Sequence, residues 1–248
     1  MNDFISIPKD KKYDGMFMIS LEERRNCLKN SVNIDGVFIY YSNTTNLIIV
    51  EDQDCNNIGV MLGVVIDYTN NNVIKEKLTL TIDRANYIDS IESQVYKYCG
   101  SWIFILSNDN YKRMYLDSCG SYSSVYDPLN KTASSTVGQL LNDKEFIERF
   151  DDELYADLGV SNIGWIPVGL TAHYGIKRLI CNHYLNLETC ESVRHWPKDK
   201  FNQNDNVREV SHNIADIIQS TVKALSDDGK TCLTITGGKD SRLILSSI

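Results

Sequence analysis

Six consecutive residues near the end of the chain, Thr236-Gly237-Gly238-Lys239-Asp240-Ser241, are of the types that hold a phosphate. The two glycines let the backbone turn tightly and approach a ligand closely. Asp240 and Ser241 stand where a helix should begin. The first N–H groups of a helix have no intrahelical partner and carry partial positive charge, which makes such a junction an anion site. The Thr236 and Ser241 hydroxyls can add hydrogen bonds to phosphate oxygens, and Lys239 and Arg242 add positive charge to a chain whose net charge is −8. The order fits neither the G-x-x-x-x-G-K-[ST] spacing of a P-loop nor the G-x-G-x-x-G of a dinucleotide fold. A ligand-free helix capped by Asp or Ser after a Gly-Gly turn has the same local pattern.

The elements that must position these residues are a strand before the glycines and a helix after them. Cys232 to Thr236 is a short β-prone run, so the segment reads as strand, glycine turn, helix. Upstream, Asp199 to Asn206 is a polar linker, and Val207 to Leu225 reads as a long amphipathic helix. Its inward face is Val207, Val210, Ile214, Ile217, Ile218, Val222 and Leu225. A helix-strand-loop-helix of this kind opens a doubly wound α/β domain, whose ligand lies off the carboxyl end of the strand. In this setting Thr236 to Ser241 resembles the pyrophosphate-binding loop, [ST]-G-G-x-D-S after a strand, of the ATP pyrophosphatase domains in the asparagine synthase superfamily.

The earlier part of the chain is β-rich. Val37–Tyr41, Leu47–Val50, Val60–Tyr68 and Leu78–Ile82 are β-prone runs separated by turn residues, and predict an antiparallel meander. Asn86 to Tyr98 changes period, with Tyr87, Ile88, Ile91, Val95 and Tyr98 on one helical face. Ser101–Leu106 and Tyr111–Leu116 then form a hairpin, continued through the turn Asp117–Gly120 into Tyr122–Tyr126. Thr136 to Leu158 reads as helix, ended by Gly159. Short segments follow around the turn Glu188–Glu191.

The pattern Gly100-x-Trp102-x-Phe104-x-Leu106, hairpin, Leu116-Asp117-x-x-Gly120-x-Tyr122-x-x-x-Tyr126 resembles the end of the glutaminase-like domain that precedes the ATP domain in asparagine synthases. Gly175-Ile176-x-Arg178-Leu179, a hairpin and a Trp196-Pro197 exit follow in the family's order, although Cys181-Asn182 replaces the usual Pro-Gly. The resemblance implies an α+β chain. Residues 1–196 would form a glutaminase-like αββα antiparallel sandwich of the N-terminal nucleophile hydrolase type, 197–206 a linker, and 207–248 the incomplete beginning of the doubly wound α/β ATP domain.

The same resemblance implies chemistry. Thr236, Gly237, Gly238, Lys239, Asp240 and Ser241 would hold the pyrophosphate of ATP, with Mg²⁺, while a carboxylate substrate is adenylated and an amine displaces AMP. The adenine pocket, the metal ligands and the acid or base lysine are expected beyond residue 248, so no catalytic or metal residue is assigned within this chain. A glutaminase of the family uses an N-terminal cysteine freed by removal of Met1. Here position 2 is Asn2, the first cysteine is Cys27 and the first hydroxyl is Ser6; a carboxamide cannot form the thioester. The family's oxyanion-stabilising Asn-Gly pair has its nearest counterpart at Leu62-Gly63. The expectation is a glutaminase fold without glutaminase activity, similar to β-lactam synthetases and lasso-peptide cyclases. The alternative is a non-catalytic truncated or split protein whose glutaminase-like domain is a scaffold for a partner, including a downstream polypeptide that completes the ATP domain.

Composition bounds these readings. With 248 residues, 42% of them hydrophobic and 23% charged, the chain has the make-up of a globular protein with a sizeable core. No apolar run reaches the roughly 18 residues of a membrane span, and no signal-peptide layout opens the chain, so a cytoplasmic protein without a membrane partner is expected. Seven scattered cysteines without a C-x-x-C predict reduced thiols, and four histidines show no metal spacing. No basic stripe is present to neutralise the phosphates of a nucleic acid.

Overall fold

The computed structural model describes residues 13–24, 27–198, 200, 206–229 and 231–247. Asn2, Ser6 and most of the polar linker lie outside the described residues. The chain is α+β, with two multi-stranded sheets. In order, the elements are β1 (Phe17–Ser20), β2 (Asn30–Ile34), β3 (Val37–Tyr41), β4 (Leu47–Asp52), β5 (Asn57–Asp67), β6 (Asn72–Ile74), β7 (Lys77–Leu80) and α1 (Tyr87–Val95). Then come β8 (Cys99–Ser107), β9 (Lys112–Leu116), β10 (Val125–Asp127), β11 (Thr132–Ser134), α2 (Val137–Leu140), α3 (Asp143–Glu148), α4 (Asp152–Asp157) and α5 (Val160–Ile163). The last are β12 (Lys177–Arg178), β13 (His183–Asn186), β14 (Glu191–Arg194), α6 (Val207–Asp228) and α7 (Lys239–Leu245).

One sheet has the order β12-β10-β11-β1-β3-β2, the other β14-β13-β9-β8-β5-β4-β7, with β6 also pairing β5. Alternation along the strands decides what each face buries, because successive side chains point to opposite sides of a sheet. Phe17 and Ile19 of β1, Ile39 of β3, Val60 and Leu62 of β5, Ile103 and Ile105 of β8, and Met114 and Leu116 of β9 meet in one buried layer fed by both sheets. The intervening Met61, Trp102, Phe104, Leu106 and Tyr115 face the other way, where Ile91 and Val95 of α1 cover them. On the opposite side of the molecule, Val125 and Ile176 pack with Leu141 and with Val137 and Leu140 of the α2 region. Each fully buried large apolar side chain stabilises such a layer by about 1.5–3 kcal/mol.

The turn after β9 forms as the sequence indicates. Asp117 is buried, its Oδ1 accepts from the N–H groups of Cys119 and Ser121 at 3.0 Å each, and its Oδ2 from that of Tyr122 at 3.1 Å. Gly120 closes the turn at φ 63°, a left-handed conformation that favours glycine.

Several expectations are corrected. The strands between Val37 and Ile82 are not one antiparallel meander: β3 belongs to one sheet and β4 to the other, and β4 pairs β7 in parallel. The polar turn 42–46 moves the chain between layers rather than closing a hairpin. It is held by Ser42 Oγ, which lies 2.9 Å from Thr45 Oγ1. The helix expected over Thr136–Leu158 is three short helices, because Asn142 and Asp151 act as new N-caps. Asn142 forms a reciprocal capping box with Glu145, and the Asp151 side chain accepts from Leu154 N at 2.9 Å. Gly159, at φ 60°, follows the last of them.

The expected strand Cys232–Thr236 is not formed. A parallel strand exists by pairing, and no neighbouring strand lies beside this run among the described residues; Ile235 is 56% exposed. Helix α6 is present, begun by the Asn206 side chain accepting from Glu209 N at 3.1 Å. Only its later part is packed, mainly against β6, with Lys75 bonded to Asp228 at 2.6 Å. Of the expected inward face, Val210, Ile217, Ile218, Val222 and Leu225 are half-buried, while Val207 and Ile214 are 73% and 52% exposed.

Candidate functional site

The structure brings Thr236, Gly237, Gly238, Lys239, Asp240 and Ser241 together in one tight turn at the start of α7. Gly238 is the N-cap and the helix begins at Lys239. The turn is closed by hydroxyls. Ser241 Oγ accepts from Thr236 N at 3.1 Å and lies 3.2 Å from Thr236 Oγ1, which accepts from Gly238 N at 3.2 Å. These bonds turn the Thr236 and Ser241 hydroxyls toward the backbone amides that an anion would meet. A Cβ added at Gly237 would meet nothing within 4 Å, and one at Gly238 only Thr236 Oγ1 at 3.3 Å, so the space above the loop is open. Arg242 does not point into that space; its guanidinium donates to the carbonyls of Gly238 and Gly237 at 3.1 and 2.9 Å. The loop is exposed, and the run leading into it pairs with no strand among the described residues. The residues fit a phosphate group. Among the described residues, no three His, Cys, Asp or Glu side chains are grouped to hold a metal ion.

A second feature lies at Gly63. An added Cβ there would come within 2.3 Å of Ser101 O on β8, so the strands approach too closely for any side chain. Beside Gly63 is a small cavity of about 140 Å³, also bordered by Gly15, Thr44, Thr45, Ser101 and Tyr122. The Leu62 side chain points away from it into the core and is fully buried. Tyr122 OH donates to Gly15 O at 2.8 Å, and Gly15 N donates to Ser42 Oγ and Thr44 Oγ1 at 3.0 and 3.1 Å, so hydroxyls anchor the entry to β1.

A larger recess lies elsewhere: a cleft of about 810 Å³ between α1 and the chain leaving β14. Asp89, Glu92 and Tyr96 line one wall, His195, Trp196 and Lys198 the other. Glu92 is buried and accepts from Tyr115 OH at 3.1 Å. Lys198 Nζ lies 2.8 Å from Glu92 Oε2 and also pairs with Asp89. Burial works against the Lys198 charge, but its hydrogen bonds to Asp89 and Glu92 outweigh that and raise its pKa. His195 is buried, its Nε2 is 3.1 Å from Tyr96 OH, and burial pushes its pKa down. Burial likewise pushes the Tyr96 and Tyr115 hydroxyls up.

Nothing in local spacing joins Glu92 to Lys198, which lie more than a hundred residues apart. One sign was legible. Glu92 sits four residues after Ile88 and three before Val95, a carboxylate inside the apolar stripe of α1, and a buried carboxylate requires partners from elsewhere.

Scanned against models of known protein families, the chain matches none, and a search of curated proteins returns no match.

Proposed function

We propose that this chain is the N-terminal portion of an asparagine synthase-like, ATP-dependent amide-forming enzyme that activates a carboxylate by adenylation. In this reading the two-sheet body is a glutaminase-like αββα sandwich of the N-terminal nucleophile hydrolase type, and 207–248 opens an ATP pyrophosphatase domain. The observation that carries the reading is the loop 236–241. Two glycines, two convergent hydroxyls and a helix start face open space, downstream of a body with helices outside two sheets that share a core. The loop would bind the pyrophosphate part of ATP and stabilise the charge that develops on it as it leaves. ATP and Mg²⁺ would supply the activation. The metal ligands, adenine pocket and further strands of the sheet would come from polypeptide outside these residues.

Glutamine would not be the amine source. Leu62 offers no side-chain donor beside Gly63, and among the described residues no cysteine borders the small cavity there. Glutamine hydrolysis by the purified protein should equal an enzyme-free blank, and hydrolysis clearly above it would overturn this part of the reading.

A second reading is favoured by the exposed apolar side chains of the last segment, Val207, Ile214, Ile235, Leu243 and Leu245. In it the body is a non-catalytic scaffold, and the segment docks on another polypeptide. Pyrophosphate release from ATP and Mg²⁺, measured with and without a candidate downstream polypeptide, separates the two. Release that requires the added polypeptide supports the enzyme; a stable complex without release supports the scaffold.

A further inference from the structure

We propose that the surface formed by α3, α4 and the loop 164–174 docks a basic polypeptide segment that carries a large apolar side chain. This surface is separate from the loop 236–241 and does not rest on the reading of that loop.

Charge is the first argument. Between Asp143 and Asp157 the chain carries seven carboxylates against two cations, Lys144 and Arg149. The fold uses both cations. Lys144 pairs with Glu148 at 3.6 Å, while Arg149 turns to the buried Asp127 at 3.4 Å and to the Tyr174 carbonyl at 2.8 Å. Asp143, Asp152, Glu153 and Asp157 are left exposed, with no ion pair among the described residues. Part of this unbalanced charge gathers round one ring. A hydrogen bond to the Asp151 carboxylate raises the Tyr174 pKa, and the charges of Asp151, Glu153 and Asp152 raise it further. Tyr174 is itself exposed. An exposed ring among carboxylates offers a cation both the face of an aromatic quadrupole and full negative charges.

Apolar surface beside these charges is the second, independent argument. Ile147 of α3 and Trp165 are 76% and 60% exposed, and Val168 and Leu170 are exposed with them. Backbone bonds tie the pieces together. Tyr174 N donates to Arg149 O at 2.7 Å, Asp151 N donates to Ala172 O at 2.8 Å, and the Phe146 and His173 ring centroids are 4.3 Å apart. Neither the cavity beside Gly63 nor the cleft beside α1 is lined by these residues, so the face is open, which suits a polypeptide rather than a small cation. A second copy of the chain would bring the same acidic face and a net charge of −8, and like charges oppose that contact. A basic segment is drawn in by the same field. Lys177 and Arg178, exposed on β12 just beyond Tyr174 in the chain, confine its cations to the α3–α4 side.

The probe is a fluorescein-labelled decapeptide of alternating lysine and leucine, titrated against the full chain at about 0.15 M salt and followed by anisotropy. Matched glutamate–leucine and lysine–glycine peptides are run beside it. The lysine–leucine peptide should bind saturably, and the other two at least about tenfold more weakly. Asp152→Asn combined with Glu153→Gln should weaken binding about tenfold, and Trp165→Ser about fivefold. All three side chains are exposed, so folding is not at stake. Glu76→Gln combined with Asp109→Asn removes the same charge from exposed positions elsewhere and should change binding less than about twofold. No saturable binding, equal binding of either matched peptide, an affinity that the Asp152 and Glu153 changes or Trp165→Ser leave intact, or an equal loss in the Glu76 and Asp109 control would each overturn the proposal. So would a dimer in sedimentation that Trp165→Ser dissociates, since a second copy would then be the occupant.

Discussion

The Ser241 hydroxyl lies 3.2 Å from that of Thr236 and accepts from the Thr236 amide at 3.1 Å, so the two hydroxyls that flank the glycine turn are bonded to one another across its base. An incoming phosphate would exchange this internal pairing for charge-assisted bonds, which are stronger than neutral ones. Ser241→Ala removes one such donor. Its pyrophosphate affinity should fall about tenfold, measured by calorimetry with Mg²⁺ present, while the melting temperature changes little because the loop is exposed. An unchanged affinity would remove Ser241 from the site.

The last segment should be the least protected part of the described chain. Ala224 is the one buried residue of α6, and an isolated helix gains little stability without tertiary packing. Amide hydrogen exchange should be slowest in β5 and β8, which form the centre of the larger sheet, and fast across 207–216 and 231–245. Protection there equal to that of β8 would contradict loose docking of this segment.

Acid sensitivity should begin at the histidines. His173 is buried between Phe146 and Phe150, with ring centroids 4.3 and 5.4 Å away. Burial, with the nearby Arg149 charge, lowers its pKa below the ordinary 6.5. The unfolded chain therefore takes up the proton first. The stability tied to neutral His173 is fully present above pH 6.5 and is lost as pH falls through that value toward the folded pKa. His195 has the same sign. Asp52, Asp67 and Asp83 are held below 3.8, so their contribution persists until lower pH. Urea midpoints should drop between pH 7 and about pH 5, and drop less in His173→Leu. An equal drop in both proteins would show that His173 is not a source.

How much of this was legible in the sequence depends on how local each feature is. The strand alternation at Trp102, Ile103, Phe104 and Ile105 carries its own period, and the Asp117–Gly120 turn its own chemistry, so both are readable without the fold. The Asn142 capping box was equally local, but the apolar stripe around it, from Leu140 to Leu154, suggested one continuous helix. Pairing is not local. Nothing in Cys232–Thr236 says whether a neighbouring strand exists, and the parallel pairing of β4 with β7 requires the chain to return past β5 and β6 of the same sheet. The Glu92–Lys198 pair is readable only as an oddity in α1 until the β13–β14 hairpin brings the second residue to it.

The most direct test of the nucleotide reading is pyrophosphate binding, with Mg²⁺, to the wild-type chain and to Gly238→Val. The space at Gly238 makes this variant informative, since an added Cβ would meet only Thr236 Oγ1 at 3.3 Å and the fold should survive, while backbone approach to a phosphate would be blocked. Saturable binding by the wild type and its loss in Gly238→Val, with unchanged circular dichroism, are the expected result. Equal affinity in the two proteins, or no binding by either, would contradict it and leave the loop as an ordinary helix cap.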